Sequence, residues 1–88
     1  MQVAAHIGHL KVLTYLLGEK YEESRALLDL VDSEGDTPLH YAAFGKQPQS
    51  IKVLLDFGAN INAVNHKGSS ALHISVLVED LDSVQVLF

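Results

Sequence analysis

Apolar residues along this chain fall at helical spacing and then return at a longer one. Ile51, Leu54 and Leu55 stand at i, i+3 and i+4, the pattern of one face of an α-helix. They predict a helix from about Pro48 to Phe57, closed by Gly58 in a left-handed cap. Ahead of it, Leu39, Ala42 and Ala43 mark the inward side of a shorter helix, Pro38 to about Phe44. Thr37 is a good N-cap, and Pro38 suits the first helical position, where its missing N–H is unpaired anyway. The alanines allow a neighbouring helix to approach closely. Beyond Gly58, Ala59-Asn60-Ile61-Asn62-Ala63 leads out to a turn at Asn65-His66-Lys67-Gly68.

The pattern repeats after 33 residues. Gly35 steps to Gly68, Leu39 to Leu72 and His40 to His73. The register holds downstream, where Ile51, Val53, Leu54 and Leu55 map onto Val84, Val86, Leu87 and Phe88. Ser70 keeps the cap, and Ala71 stands where Pro38 stood. A unit of helix, turn, helix and extended excursion cannot bury both of its apolar faces alone. It needs a like neighbour on each side, which is the logic of a solenoid.

Composition narrows the chemistry. The chain has 88 residues, 48% hydrophobic and 19% charged, the profile of a small folded domain. It has no cysteine, which removes disulfides, thiol catalysis and thiolate zinc sites together. A formal net charge of −5 argues against nucleic acid or an anionic membrane as main partner. No apolar run approaches the roughly 20 residues that cross a bilayer, and the first residues lack the basic start of a signal peptide. A cytoplasmic location and no membrane insertion are the expectation.

The stretch Asp32-x-x-Gly35-x-Thr37-Pro38-Leu39-His40-x-Ala42-Ala43, with Val53-Leu54-Leu55-x-x-Gly58-Ala59-Asn60-Ile61-Asn62-Ala63 after it, resembles an ankyrin repeat. The resemblance implies an all-α ankyrin-repeat solenoid of helix-turn-helix units with finger turns, about two and a half repeats long. Residues 1–31 read as a partial repeat carrying a five-residue insertion, 32–64 as a complete repeat, and 65–88 as a truncated one. The family's inter-helix glycine is kept at Gly8 but is Lys46 and Glu79 later, with Gly45 one position early. A non-glycine residue in the left-handed region is strained, so a distorted turn is expected in the second and third repeats. Further features, chiefly Gly45-x-Gln47-Pro48 with Ser70-Ala71-Leu72-His73-Ile74-Ser75-Val76, look like the early ankyrin repeats of the mind bomb family. Those are multidomain RING-type E3 ubiquitin ligases that promote endocytosis of Notch ligands. That likeness implies a parent enzyme whose catalytic and ligand-recognition parts lie outside this chain. An ankyrin adaptor with no enzymatic domain is the alternative.

No catalytic constellation stands out. Glu22/Glu23 and Glu79/Asp80 are adjacent rather than opposed across a cleft, as acid–base catalysis would need. No serine elbow and no glycine-rich phosphate loop occur. No cofactor or metal is expected. His6 and His9 have a spacing also seen in metal pairs, but a structural reading is favoured. The resemblance gives Thr37, Pro38, His40, Gly58 and His73 structural roles, with the His40 and His73 imidazoles bonding backbone in the finger turns. It places protein-binding positions on the concave face and fingers. In the second repeat these are Ser33, Glu34, Asp36, Tyr41, Phe44 and Gly45; in the third, His66, Lys67, Ser69, Ile74, Leu77 and Val78. Tyr41 and Phe44 are the natural anchors, unless they pack against an adjacent repeat. The apolar residues Val84, Val86, Leu87 and Phe88, with Val3, Ile7 and Leu10, predict marginal stability or self-association through the ends.

Overall fold

The computed structural model describes residues 28–88. The expectations for the partial repeat, its insertion and His6 and His9 lie outside the described residues. Among the described residues four whole helices follow in order: α1 (Pro38–Phe44), α2 (Pro48–Asp56), α3 (Ala71–Leu77) and α4 (Leu81–Leu87). No strand occurs among the described residues. Helix α1 packs on α2, and α3 on α4. The first pair then stacks on the second through α1 against α3 and α2 against α4.

The first helix of each pair starts with its own chemistry. Thr37 Oγ1 accepts the backbone N–H of His40 at 3.4 Å, while the His40 ring returns a bond to the Thr37 N–H at 3.0 Å. This is a capping box with histidine in the place usually held by Glu or Gln. Ser70 and His73 repeat it on α3, at 3.3 Å and 3.1 Å. Helices of seven residues are too short to persist alone. Their caps and the buried faces between them hold them in place.

The core is one continuous seam. Leu39, Ala42 and Ala43 of α1 meet Ile51 and Leu54 of α2, then Ala71 and Ile74 of α3 and Leu87 of α4, with Leu28 at the upstream side. Burying each large aliphatic contributes about 1.5–3 kcal/mol. The alanines keep the backbones close enough for the larger side chains to fill the seam.

Helix ends explain how the glycine-poor turns close. After α2, Gly58 takes φ +99°, the Gly58 N–H bonds Leu55 C=O, and the Ala59 N–H bonds Leu54 C=O, both at 3.0 Å. That bond pair is a Schellman motif. After α1 the same pair runs from Lys46 to Ala43 (3.2 Å) and from Gln47 to Ala42 (3.0 Å). After α3 it runs from Glu79 to Val76 (3.1 Å) and from Asp80 to Ser75 (3.0 Å). The distorted turn expected from the lost glycines is therefore not found. Lys46 and Glu79 enter the left-handed region themselves, at φ +55° and +58°, while Gly45 stays right-handed. The two hydrogen bonds and the packed helices on either side outweigh the local strain.

One polar difference separates the two helix pairs. Ser50 and Ser83 are 33 residues apart and both buried. The Ser83 hydroxyl donates to Asp80 Oδ2 at 2.5 Å. Ser50 has Gln47 at the matching position, and its Oγ finds no partner.

Candidate protein-binding site

Two tight turns, 32–36 and 65–69, project from the starts of the helix pairs as the fingers. Each is organised by its first residue. Asp32 Oδ1 accepts the N–H groups of Glu34 and Asp36, both at 2.9 Å. Asn65 Oδ1 accepts those of Lys67 and Ser69, both at 3.0 Å. A short side-chain oxygen that bonds the backbone two residues on sets such a turn without help from neighbours. The backbone then closes each loop, Gly35 N–H to Asp32 C=O at 3.0 Å and Gly68 N–H to Asn65 C=O at 2.9 Å. Both glycines have positive φ, but only Gly35 is also hemmed in. A Cβ there would lie 2.6 Å from Cδ2 of His66 on the next finger.

Two bonds lash one finger to the next, and a third ties α1 to the second finger. The His66 N–H donates to the Glu34 carbonyl at 3.0 Å. Asn65 Nδ2 donates to Asp36 Oδ1 at 2.9 Å. His40 Nε2 meets the Ser69 carbonyl at 2.8 Å. The last fixes the ring's tautomer. Nδ1 accepts the Thr37 N–H, so the neutral ring carries its proton on Nε2 and donates it to Ser69. His40 thus caps its own helix and holds the following finger. The His73 ring repeats the cap but is exposed.

Tyr41 rises from α1 beside the upstream finger, and its hydroxyl donates to Asp32 Oδ2. That bond, more than the Asp36 and Glu34 amides, holds the Asp32 carboxyl below the usual carboxylate range; desolvation opposes it. The same bond, with desolvation and the neighbouring carboxylates, pushes the Tyr41 hydroxyl up. Tyr41 is half-buried, held over its own finger.

Between the fingers lies a cleft of about 320 Å³, lined by Glu34 and Asp36 on one side, Asn65 and Lys67 on the other, and Phe44 from α1. Phe44 is 40% exposed. So five residues meet at one place, and four of them, Glu34, Asp36, Phe44 and Lys67, are among the expected binding positions. Ser33 and His66 are exposed on the same finger tips, Ser69 is half-buried, and Gly45 is partly covered at the end of α1. Leu77 is well exposed and Val78 half-buried, both at the end of α3.

Two expected positions are placed differently. Ile74 is only 2% exposed and belongs to the core seam, so its side chain offers nothing to a partner. It stands one 33-residue step from Tyr41 but lacks the hydroxyl that holds Tyr41 over its finger. Asp36 is 7% exposed, turned toward Asn65, and reaches the cleft only as its wall. Asp32 and Asn65, which organise the turns, are not among the expected positions. Their signal was present: an Asp or Asn three residues before a glycine, twice.

Among the described residues no cluster of His, Asp and Glu is arranged to hold a metal ion, and no helix is long and apolar enough to cross a membrane.

Comparison with known proteins bears on the whole chain. The family model of ankyrin repeats in three copies matches residues 1–88. Rabankyrin-5 of Mus musculus is 34% identical over 70 residues, 80% of this chain and 5% of that protein. The NF-kappa-B inhibitor delta of the same species is 44% identical over 48 residues, 54% of this chain and 15% of that protein. The chain thus spans only a small part of these relatives. Among solved structures, a chain from the complex of a Bdellovibrio bacteriovorus predatory endopeptidase with an immunity protein superposes with a TM-score of 0.84 at 29% identity. The match covers 98% of this chain and 42% of that one. With the 33-residue step, the capping boxes and the lashed fingers, these matches make the chain a member of the ankyrin-repeat family.

Proposed function

We propose that the concave side of this stack, centred on the cleft between the two fingers, docks a segment of another protein. The observation that carries the reading is Phe44: a large aromatic, 40% exposed, over a cleft whose walls are held by inter-finger bonds. An exposed aromatic in a rigid recess is what protein interfaces use as an anchor. The family's role as a protein–protein interaction module supports it. So do the NF-kappa-B inhibitor among the relatives and the structural neighbour seen in a protein complex. The expected set of Ser33, Glu34, Tyr41, Phe44, Gly45, His66, Lys67 and Ser69 is retained as the contact surface, with Leu77 and Val78 at its downstream edge. Affinity capture on the immobilised chain tests this. Phe44→Ala is expected to lower recovery of an identified partner several-fold, and unchanged recovery with Phe44→Ala and Tyr41→Ala together would remove the assignment.

For the parent protein, we propose a cytoplasmic, mind bomb-like ubiquitin ligase in which residues 1–31, 32–64 and 65–88 are successive repeats of the substrate-positioning array. What supports this is the Gly45-x-Gln47-Pro48 turn and the Ser70-Ala71-Leu72-His73-Ile74-Ser75-Val76 stretch. RING-type Cys/His spacing elsewhere in the open reading frame is the expected result. A frame holding only repeats would favour the adaptor alternative.

A further inference from the structure

The cleft between the fingers has a chemistry narrower than a generic docking surface. One wall is anionic: the Glu34 side chain is exposed at the tip, and the Asp36 carboxylate lies below it. Asn65 Nδ2 donates to Oδ1 of Asp36, which fixes the carboxylate's direction. The far wall carries one cation, Lys67, on a long exposed side chain. Phe44 adds an aromatic face. At about 320 Å³ the cleft has room for a long side chain with its backbone outside, near the lower limit for small-molecule pockets. The chain as a whole carries −5, which favours the approach of a positive segment.

We propose that this cleft selects an arginine side chain presented by the protein partner. The inference rests on the reading of the cleft as a docking site and adds the identity of the anchor. A guanidinium is planar, stacks on an aromatic ring, and presents paired N–H donors to a carboxylate. Phe44 supplies the ring and Glu34 the accessible carboxylate, with Asp36 adding field from the wall. Lysine has the charge but not the stacking plane, so it ranks below arginine. A glutamate would meet two carboxylates and only one lysine.

The test uses the 88-residue chain, isotope-labelled, titrated with three capped peptides: acetyl-Leu-Arg-Leu-amide, the same peptide with citrulline for arginine, and the same with glutamate. With the arginine peptide, amide shifts at Glu34, Phe44 and Lys67 are expected to saturate and to weaken with added salt. The citrulline peptide keeps shape and loses charge, and is expected to bind about ten-fold more weakly. Glu34→Gln is expected to cause a similar loss for arginine but not for citrulline. Its side chain makes no bond that shapes the finger, so the fold is retained. If citrulline or glutamate moves the same amides as strongly as arginine, the cleft remains a docking site and the arginine assignment is overturned. If no peptide moves these amides, both the assignment and the docking reading of the cleft fall.

Discussion

Asp32 shows how much rests on a single side chain in so small a structure. Its Oδ1 shapes a finger and its Oδ2 receives the Tyr41 hydroxyl, so one carboxylate joins turn to helix. Because its folded-state pKa is lowered, this contribution is present above the unfolded pKa and is lost as pH falls through the folded value. Tyr41→Phe removes the bond that contributes most to the shift. Its destabilisation, followed by urea unfolding, is therefore expected at neutral pH and to shrink below the ordinary carboxylate range. A difference that stays constant with pH would show that the Tyr41 hydroxyl does not act through the Asp32 charge. Tyr41 was legible from its place in the repeat, but Asp32 was not singled out. Its role depends on two backbone N–H groups whose direction only the folded turn supplies. Ile74 teaches the converse: the 33-residue step carries a backbone position faithfully, while the side chain's polarity decides which way it is turned.

Among the elements, helix starts were easier to read than helix ends. Thr37-Pro38 and Ser70-Ala71 announced two N-termini because caps are local chemistry, and the structure begins its helices there. That the capping box closes on His40 and His73 was not anticipated, since the imidazoles were assigned to the fingers; His40 serves both. The ends misled because the missing glycines suggested altered geometry. The fold instead kept the geometry and placed Lys46 and Glu79 in it. Replacing either with glycine relieves the left-handed strain, partly offset by the greater freedom glycine has when unfolded. Lys46→Gly and Glu79→Gly are each expected to gain about 0.5–1 kcal/mol in denaturant unfolding. A loss of stability in either variant would mean that the side chain contributes more than its backbone costs.

At the scale of the whole molecule, the second helix pair carries an uncovered apolar face. Ser75, Val76, Glu79, Leu81 and Val84 line a groove of about 360 Å³. Their counterparts 33 residues earlier are Ala42, Ala43, Lys46, Pro48 and Ile51, of which Ala42, Ala43 and Ile51 are fully buried. Leu81, by contrast, is 67% exposed and Phe88 98%. Apolar surface of this kind drives association. Sedimentation velocity on the 88-residue chain is expected to show concentration-dependent self-association, and Leu81→Glu is expected to suppress it. A monomer at all concentrations would leave the face without this role. The periodicity made the stack itself legible, because a step of 33 held across turn and helix allows little else. Which surfaces end up covered depends on neighbours, which no single unit's pattern records.

The bond from the His66 N–H to the Glu34 carbonyl joins main chain to main chain. No side-chain replacement other than proline at His66 deletes those atoms. Ser33, Glu34, His66 and Lys67 can therefore vary while the link between their turns persists. Natural drift or a randomised library has four tip positions at which new specificities can be sampled with little loss of foldability. The inventive part of the surface is insulated from the part that must stay the same.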